Sequence, residues 1–306
     1  MSQTLPLVAG IEAGGTKFVV AVGTGLNDIR ERTRIPTTKP QETMDAVVRF
    51  FNDCRRKHGP ISAYGIGTFG PVDLDRRSRT YGYITTTPKR GWQHVDLITS
   101  LYAHAKLPAA IDTDVNAAAL GEFYWGAGVN TDPLVYITIG TGVGGGAIVN
   151  GAPLHGLVHP EMGHIHIPVP PFPDAFAPAC RCPFHKSCLE GYISGPAIAA
   201  RWGMKAEKLP PDHPAIEEAA WCLAHGLSNI ILTLSPKRII LGGGVMKIPG
   251  LLERTRSQVV SVLNGYVAAP AILQNIDQYL VAPALGDNAG IAGALALGLR
   301  ALHQRG

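Results

Sequence analysis

The chain of 306 residues is long enough for two units that each bury a core of their own. Hydrophobic residues make up 46% of the sequence and charged residues 16%, a balance that excludes an intrinsically disordered chain. The formal net charge of +4 comes from largely scattered basic residues, and no stretch reaches the ~18 apolar residues of a membrane span, so neither a nucleic-acid nor a membrane partner is expected.

The N-terminal part of the chain predicts a strand–turn–strand unit followed by a helix. Residues 7–23 read as two strands joined by a glycine turn at Gly14-Gly15. Residues 41–57 have the period of a helix, and Thr38 and Gln41 have the spacing of a capping box that would start it. The apolar face of this helix is formed by Met44, Val47, Val48 and Phe51.

Two more strands are expected before the next helix. Residues 61–67 form an apolar strand, and residues 109–111 form a shorter one that runs into Asp112-Thr113-Asp114. Residues 117–125 then read as a helix. Asp114 therefore lies where a strand gives way to a helix. An aspartate in such a place is either a helix cap or a general base that takes the proton of a hydroxyl attacking a phosphate.

The same pattern starts again in the second half of the chain. Residues 134–139 and 147–149 read as strands on either side of the glycine turn 140–146. Residues 8–22 and 136–149 thus share a strand, a glycine turn and a strand. This similarity indicates an internal duplication of a mixed α/β unit.

A proline-rich insert, two helices and one more strand complete the second half. The insert spans about residues 151–190, and the long helix after it stops before Pro236. Residues 238–241 form a strand that leads into Gly242-Gly243-Gly244, and residues 291–299 form the closing helix. The buried stripe of the long helix consists of Ile216, Leu223, Leu227, Ile230 and Leu234.

The glycine turns are candidate phosphate sites. Thr16-Lys17 follows the first turn and Thr141 lies in the second, so each turn offers backbone N–H groups beside a hydroxyl or a cation. Each alone could be an ordinary hairpin, but two in corresponding positions, with a third glycine cluster before a helix, favour phosphate binding. The dinucleotide fingerprint also matches at Gly65 and Gly140, but neither match predicts the helix that this fingerprint needs. A Walker A loop is excluded because the chain has no Gly-Lys pair.

The insert carries the most specific chemistry of the chain. Cys182, His185 and Cys188 lie three residues apart and His164 adds a fourth ligand, which is the donor set of a closed structural zinc site. Free thiols and surface histidines are the alternative, but five potential ligands within 25 residues favour a metal. Cys180 is in excess and could replace one of the four. Few cysteines and no predicted leader peptide together indicate a reducing, cytoplasmic location.

Six motifs resemble those of the ROK family of repressors and sugar kinases, and above all its bacterial fructokinases. The resemblance spans nearly the whole chain, from Gly10 to the last helix. It implies an α/β fold of two actin-like (ribonuclease H-like) lobes with an interlobe cleft. Residues 1–113, completed by the helix 289–306, would form one lobe, and residues 114–288, with the zinc-bearing insert, the other. The motifs are GIEAGGTKF, DTDVNAAALGE, ITIGTGVGGG, HPEMGHI, CPFHKSCLEG and LGGGVM.

The resemblance also implies roles for individual residues. Asp114 falls on the catalytic base of the family and Thr113 lies beside it, whereas Glu161, His164 and Glu190 fall on sugar-binding positions. His164 would use one ring nitrogen on the sugar and the other on zinc. The positions on the ATP side are Gly14, Gly15, Thr16, Lys17, Gly140, Thr141, Gly142, Pro196, Gly242, Gly243, Gly244, Val245 and Met246.

The activity implied by the resemblance is ATP-dependent phosphorylation of a hexose at carbon 6, with Mg²⁺ on the ATP, a structural Zn²⁺ and a homodimer. Many aldose kinases of the family carry Asn directly before the base, where this chain has Thr113. This difference and the segment 87–92 favour fructose, with glucose or mannose as the alternative substrates. The family's repressors carry a winged helix-turn-helix before the first strand, and this sequence begins at that strand, so a sugar-responsive regulator is not expected.

Overall fold

The structure, a computed structural model, describes residues 5–87, 89–172 and 180–303. The chain divides into two units. Unit 1 runs to Val129 and also takes in Ala152–His159 and the chain from Ala284 onward. Unit 2 consists of Asn130–Gly151 and Pro160–Pro283.

Strands and helices alternate through both units. The strands are β1 (Val8–Ala13), β2 (Lys17–Gly25), β3 (Asp28–Pro36), β4 (Ala63–Thr68), β5 (Tyr83–Ile84), β6 (Val95–Asp96), β7 (Ala109–Thr113), β8 (Leu134–Ile139), β9 (Val143–Val149), β10 (Ala152–Pro153), β11 (Arg238–Gly242) and β12 (Leu280–Val281). The α-helices are α1 (Pro40–His58), α2 (Leu97–Tyr102), α3 (Asp114–Trp125), α4 (Leu189–Ile193), α5 (Gly195–Trp202), α6 (Pro214–Leu234), α7 (Leu251–Leu263), α8 (Pro270–Leu273), α9 (Ile276–Tyr279) and α10 (Ala289–His303). Short 3-10 turns lie at Met162–His164, Ala206–Lys208, Val245–Lys247 and Gly286–Asn288.

The sheet of unit 1 is covered on both faces. Its strands lie in the order β3-β2-β1-β4-β7, with β1 antiparallel to β2 and parallel to β4. Along β2, Phe18 and Val20 pack in the cluster that includes α1, whereas Val19 and Ala21 pack with Ile291 of α10. Because successive side chains of a strand point to opposite faces, burial of both faces explains why β2 reads as an unbroken apolar run.

Helix α3 packs closely on α10 at two glycines, Gly121 and Gly293. A Cβ atom on Gly121 would lie 2.5 Å from the carbonyl oxygen of Ala289, and one on Gly293 would overlap the backbone of Ala117. Glycine at these two places therefore lets the backbones of the two helices touch. The close packing fixes the position of α3, whose first residue is Asp114.

The sheet of unit 2 repeats the arrangement of unit 1. In both sheets an antiparallel hairpin (β1–β2 or β8–β9) is joined on its first strand by a parallel strand (β4 or β11), and β12 extends the second sheet. The predicted duplication of a mixed α/β unit is confirmed by this topology. Helix α6 buries the predicted stripe from Ile216 to Ile230, but Leu234, which was also predicted to be buried, is only half-buried. Ser235 ends the helix with a left-handed φ of 45° before Pro236.

Several predicted boundaries differ from the structure. Helix α1 begins at Pro40 after Lys39, and its expected capping box is absent; the hydroxyl of Thr43 accepts the backbone N–H of Thr38 at 3.0 Å instead. Helix α3 begins at Asp114, three residues before the predicted start. The division into units also places α3 in unit 1, whereas the sequence assigns it to the second lobe, because its packing on α10 is not visible in the sequence.

Other expectations are met by the described residues. Neither Gly70 nor Gly145 is followed by a helix, as the rejection of a dinucleotide fingerprint requires. Residues 173–179 of the predicted insert lie outside the described part of the chain. In the part that is described, no helix combines the length and the apolar character that a membrane crossing demands.

Candidate active site

Asp114 is the first residue of α3, directly after the end of β7. Thr113 caps the helix, since its Oγ1 accepts the backbone N–H of Asn116 at 3.1 Å. The alternative that Asp114 is itself the cap is therefore wrong. Burial raises the pKa of Asp114 to about 6, against the lowering effect of the backbone N–H groups of residues 114 and 115. A carboxylate with this pKa takes up a proton near neutral pH, as a general base must.

Glu12 is a site residue that the sequence reasoning missed. It lies on β1 two residues before the first glycine turn, and a Cβ on Gly290, at the start of α10, would touch its carboxyl group. Burial is the main cause that raises the pKa of Glu12 to about 7; Arg32 lowers it and Asp114 raises it further. Its Oε2 is buried and meets no hydrogen-bond partner among the described residues. The available signal was an acidic residue inside an apolar strand.

The first glycine turn is a tight hairpin with an exposed tip. The backbone N–H of Gly14 donates to the carbonyl oxygen of Lys17 at 3.0 Å. The hydroxyl of Thr37 donates to the carbonyl oxygen of Gly14 at 2.8 Å, which attaches the turn to the end of β3. Gly15, Thr16 and Lys17 are exposed, so their polar groups are accessible to a phosphate.

In unit 2 the structure brings together the other three segments predicted for ATP. The N–H of Gly140 donates to the carbonyl oxygen of Gly142 at 2.8 Å, which closes the second turn. The N–H of Gly195, in the first turn of α5 beside Pro196, donates to the carbonyl oxygen of Gly140 at 2.7 Å. The loop after β11 passes so close to the end of β8 that a Cβ on Gly243 would overlap the backbone of Ile139. Gly243 also has a φ of 92°, which favours glycine.

Glu190 connects the second glycine turn to the sugar motif. Its Oε2 accepts the backbone N–H of Val143 at 2.9 Å, and its Oε1 lies 3.9 Å from Nε2 of His164. Glu161 is exposed and lies one turn before His164, whose backbone N–H donates to the carbonyl oxygen of Glu161 at 3.0 Å. The three sugar-side residues predicted in unit 2 thus come from two neighbouring segments.

The four predicted metal ligands form one cluster. One donor atom from each of His164, Cys182, His185 and Cys188 lies within 4.8 Å of all the others. Sγ of Cys182 is 3.8 Å from Nδ1 of His164 and 3.3 Å from Nδ1 of His185, and Sγ of Cys188 is 3.8 Å from Nδ1 of His164. Ligands about 2.0 to 2.3 Å from a tetrahedral zinc ion are separated by such distances. Two nitrogens and two sulfurs are donors that fit zinc.

Cys180 lies next to this cluster but is not one of the four. Its Sγ is 3.9 Å from Sγ of Cys188, and it packs against Gly191 of α4. None of the five cysteines is part of a disulfide in the structure.

The two end residues of the segment predicted to favour fructose, Thr87 and Trp92, are buried in unit 1, whereas Arg90 and Gly91 are exposed. Trp92 is fully buried, and its indole N–H donates to the carbonyl oxygen of Thr38 at 2.9 Å. Its ring packs on Phe18 and Phe69, with centroid distances of 5.3 and 5.7 Å. Pro88 lies outside the described residues. Through these contacts Trp92 supports the strands next to the first glycine turn.

Comparison with known families decides the relationship. The model of the ROK family matches residues 8–301. The chain belongs to the ROK family. Among its relatives, a Bacillus subtilis (strain 168) protein, provisionally named a fructokinase, is 46% identical over 297 residues, 97% of each chain. The fructokinase of Zymomonas mobilis subsp. mobilis (strain ATCC 31821 / ZM4 / CP4) is 42% identical over 294 residues, 95% of this chain and 96% of that protein.

Solved ROK structures share the fold. The ROK hexokinase of Thermus thermophilus superimposes with a TM-score of 0.80 at 27% identity, covering 97% of this chain and 99% of that one. A ROK glucokinase from Streptomyces griseus, solved with glucose and AMPPNP, gives a TM-score of 0.72 at 28% identity, covering 96% and 99%. The predicted ROK sugar-kinase fold with mixed sheets is confirmed.

Proposed function

We propose that this ROK protein is an ATP-dependent fructokinase that converts D-fructose and ATP to D-fructose 6-phosphate and ADP. The observation that carries the proposal is its 42% identity to the Zymomonas mobilis fructokinase over 95% of this chain. The hexokinase and glucokinase structures, at 27% and 28% identity, are more distant. A glucokinase or mannokinase is the second candidate, because such kinases share the fold.

Asp114 is the base of the proposed reaction. Its carboxylate takes the proton of the 6-hydroxyl as that oxygen bonds to the γ-phosphorus of ATP, and the bond from this phosphorus to the bridging oxygen of ADP breaks. With a pKa of about 6, Asp114 is ionised at neutral pH and still accepts a proton. Most of the remaining catalysis is positioning and charge stabilisation, since phosphoryl transfer asks little covalent chemistry of the protein.

The glycine turns bind the phosphates of ATP in this proposal. The exposed tip at Gly15–Lys17 supplies backbone N–H groups and a cation in unit 1. The turn at Gly140–Gly142, the start of α5 and the loop Gly242–Met246 serve the nucleotide in unit 2, and their mutual hydrogen bonds and close packing support a common role.

The residues present fit a magnesium ion on the ATP. Mg²⁺ is bound through carboxylate oxygens and phosphates, and the unpartnered Oε2 of Glu12 is such a donor beside the first glycine turn. Glu12 would hold the ion together with the ATP phosphates. The ion would neutralise phosphate charge during transfer.

Zinc has a positioning role in the proposal. His164, Cys182, His185 and Cys188 would hold Zn²⁺, and Nδ1 of His164 is the ring nitrogen that faces the two sulfurs. Its Nε2 then remains beside Glu190, where both can bind sugar hydroxyls together with Glu161. The ring of His164 would thereby be fixed for sugar binding, and the ion would have no part in the transfer.

The preference for fructose rests in part on Thr113. Its hydroxyl already accepts a hydrogen bond as the helix cap and keeps one proton to donate, whereas an amide would offer both a donor and an acceptor. An aldose hydroxyl left without its partner would cost roughly 1 to 3 kcal/mol, or about 5- to 150-fold in kcat/KM.

Two further parts of the proposal concern the setting of the enzyme. Five cysteines without a disulfide suit a reducing cytoplasm. A homodimer follows from the family resemblance, and sedimentation equilibrium measures it directly.

The test is ADP release with fructose, glucose and mannose at saturating Mg-ATP, with sugar omitted as the control. We expect the highest kcat/KM with fructose, and ³¹P NMR should show the phosphate on carbon 6. Equal or better turnover of glucose would replace fructokinase by glucokinase, and no turnover of any hexose would contradict a kinase.

A further inference from the structure

A buried carboxylate lies two residues before the proposed base. Asp112, on β7, is 2% exposed, and its Oδ1 accepts the backbone N–H of Thr113 at 2.8 Å and the side-chain N–H of Asn116 at 2.7 Å. These two contacts lie on either side of Asp114 in the sequence. Asp112 therefore closes the turn that presents Asp114 at the start of α3.

The charge of Asp112 is balanced by a histidine from a distant part of the chain. Nε2 of His155 lies 2.9 Å from Oδ2 of Asp112 and 3.2 Å from Oδ1. It also lies 3.5 Å from Nδ2 of Asn116. The His155 side chain is 39% exposed, so its ring joins the buried carboxylate to solvent. A buried carboxylate without such a partner is costly, because its charge loses the stabilisation of water.

We propose that His155, paired with Asp112, is a positioning residue that keeps the turn around Asp114 in its working geometry. The proposal rests on the proposed function, since it takes Asp114 as the base. His155 touches neither Asp114 nor a phosphate in this scheme; it acts through Asp112, which holds Thr113 and Asn116.

The pair is expected to work in the charged form of His155. The hydrogen bond to Asp112 raises the pKa of His155 above its ordinary value of 6.5, whereas burial and the nearby Arg76 oppose this effect. Tyr81 also faces Asp112 and Arg76 and stays neutral, because burial raises its pKa. The stabilisation by the ion pair is therefore fully present only well below pH 6.5 and is lost as the pH rises through the elevated pKa of His155.

The activity test compares three histidine variants. His155→Ala should lower kcat about 10- to 100-fold, the scale of a misplaced reacting group, with little change in KM for sugar or Mg-ATP. In the wild type, kcat should decline as the pH rises and His155 loses its proton. His155→Arg keeps its positive charge over that pH range, so it should retain most of kcat and should not show this decline. His58→Ala is the matched control, because it removes another histidine–carboxylate pair of unit 1, that with Glu31 at 3.2 Å, and should leave kcat unchanged.

Two measurements test the pairing without any turnover. NMR titration of the wild type should give His155 a pKa above 6.5, and Asp112→Asn should lower it. Hydrogen exchange of the Thr113 and Asn116 amides should be faster in His155→Ala than in the wild type. These readouts hold even if the wild type phosphorylates no hexose, so a failure of the proposed function is recognised separately.

Three results would overturn the positioning role. The first is a wild-type kcat in His155→Ala. The second is a raised KM for sugar with unchanged kcat in that variant, which would indicate direct contact with the substrate. The third is unchanged exchange of the Thr113 and Asn116 amides in that variant. An arginine variant as slow as the alanine variant would overturn the requirement for charge.

Discussion

The turn around Asp114 and the cluster around His164 are held by different means. Asp114 follows a buried strand and starts a helix whose cap, close packing on α10 and contacts through Asp112 all come from the protein. The cluster lies between two segments with little regular structure, a 3-10 turn at Met162–His164 and the residues before α4. The backbone N–H of Leu189 donates to the carbonyl oxygen of Ile165 at 3.0 Å and joins the two segments, and the four donor atoms then meet through their side chains.

The comparison shows two ways to place a reactive side chain. A group on a packed helix keeps its position through apolar burial, and its pKa is set by that burial. In the zinc proposal, a group in an irregular segment gains the same order from an added ion, because ligand bonds would replace the missing core. The predictions below separate these two mechanisms.

The largest effect on rate is expected from Asp114→Asn. The amide cannot accept the hydroxyl proton, so kcat should fall at least ~100-fold, while the fold and ATP binding persist because the packing of α3 is unchanged. Steady-state kinetics and a thermal melt measure the two effects. Asp75→Asn, an exposed aspartate of the same unit, is the control, and near-normal kcat in folded Asp114→Asn would remove Asp114 from the chemistry.

Removal of one metal ligand should mainly affect stability. Protein purified without added metal should contain about one equivalent of zinc, and Cys182→Ser should lose it. Tm should then fall by about 10 °C or more, because the ordering of the segment depends on the ion. Elemental analysis and calorimetry measure both.

Cys180→Ser is the matched control for the zinc site, since Cys180 is a neighbouring thiol outside the set of four ligands. Its zinc content and Tm should equal those of the wild type. Loss of zinc in Cys180→Ser with retention in Cys182→Ser would show that the ligand set is wrong although the site exists.

Glu12→Gln should stabilise unit 1 at neutral pH in the absence of Mg²⁺. A carboxyl whose pKa is raised from 4.5 to about 7 destabilises the fold increasingly as the pH rises between these values. The neutral amide removes this cost, by up to about 3 kcal/mol above pH 7, and makes no difference below pH 4.5. Urea denaturation at pH 4 and pH 8 measures it, and an equal effect at both pH values would contradict the assignment.

The smallest effect is the acid decline of the wild-type enzyme. Because the base must be ionised, kcat at saturating Mg-ATP should fall about tenfold for each pH unit below about 6, the pKa of Asp114. A pH–rate profile from pH 4.5 to 8 with parallel stability measurements checks this. A kcat that is independent of pH down to pH 5 would indicate that proton removal by Asp114 does not limit turnover.

The sequence predicted the features that depend on neighbouring residues. The glycine turns, the apolar faces of α1 and α6 and the spacing of Cys182, His185 and Cys188 are local patterns, and the structure contains each of them. The duplication was visible for the same reason, since strand and turn signals recur along the chain.

The features that sequence reasoning missed depend on partners far apart in the chain. The carboxyl group of Glu12 lies against Gly290 at the start of α10. His155, the partner of Asp112, lies 43 residues away in the sequence. The absent capping box at α1 has a similar cause, because Thr43 within the helix accepts the N–H of Thr38, which is the role expected of Gln41. Hydrogen-bond spacing alone does not reveal which of several hydroxyls lies in the right orientation.

The two oxygens of Glu190 have a consequence for the affinities of the two proposed substrates. One oxygen accepts the N–H of Val143 in the second glycine turn, and the other faces His164. Under the proposed function, a sugar hydroxyl bound to Glu190 would therefore alter the acceptor that holds the second glycine turn. Thermodynamic reciprocity then requires that fructose changes the affinity for ATP by the same factor by which ATP changes the affinity for fructose. Isothermal titration calorimetry of each ligand, with and without the other, should give the same factor of change in both affinities.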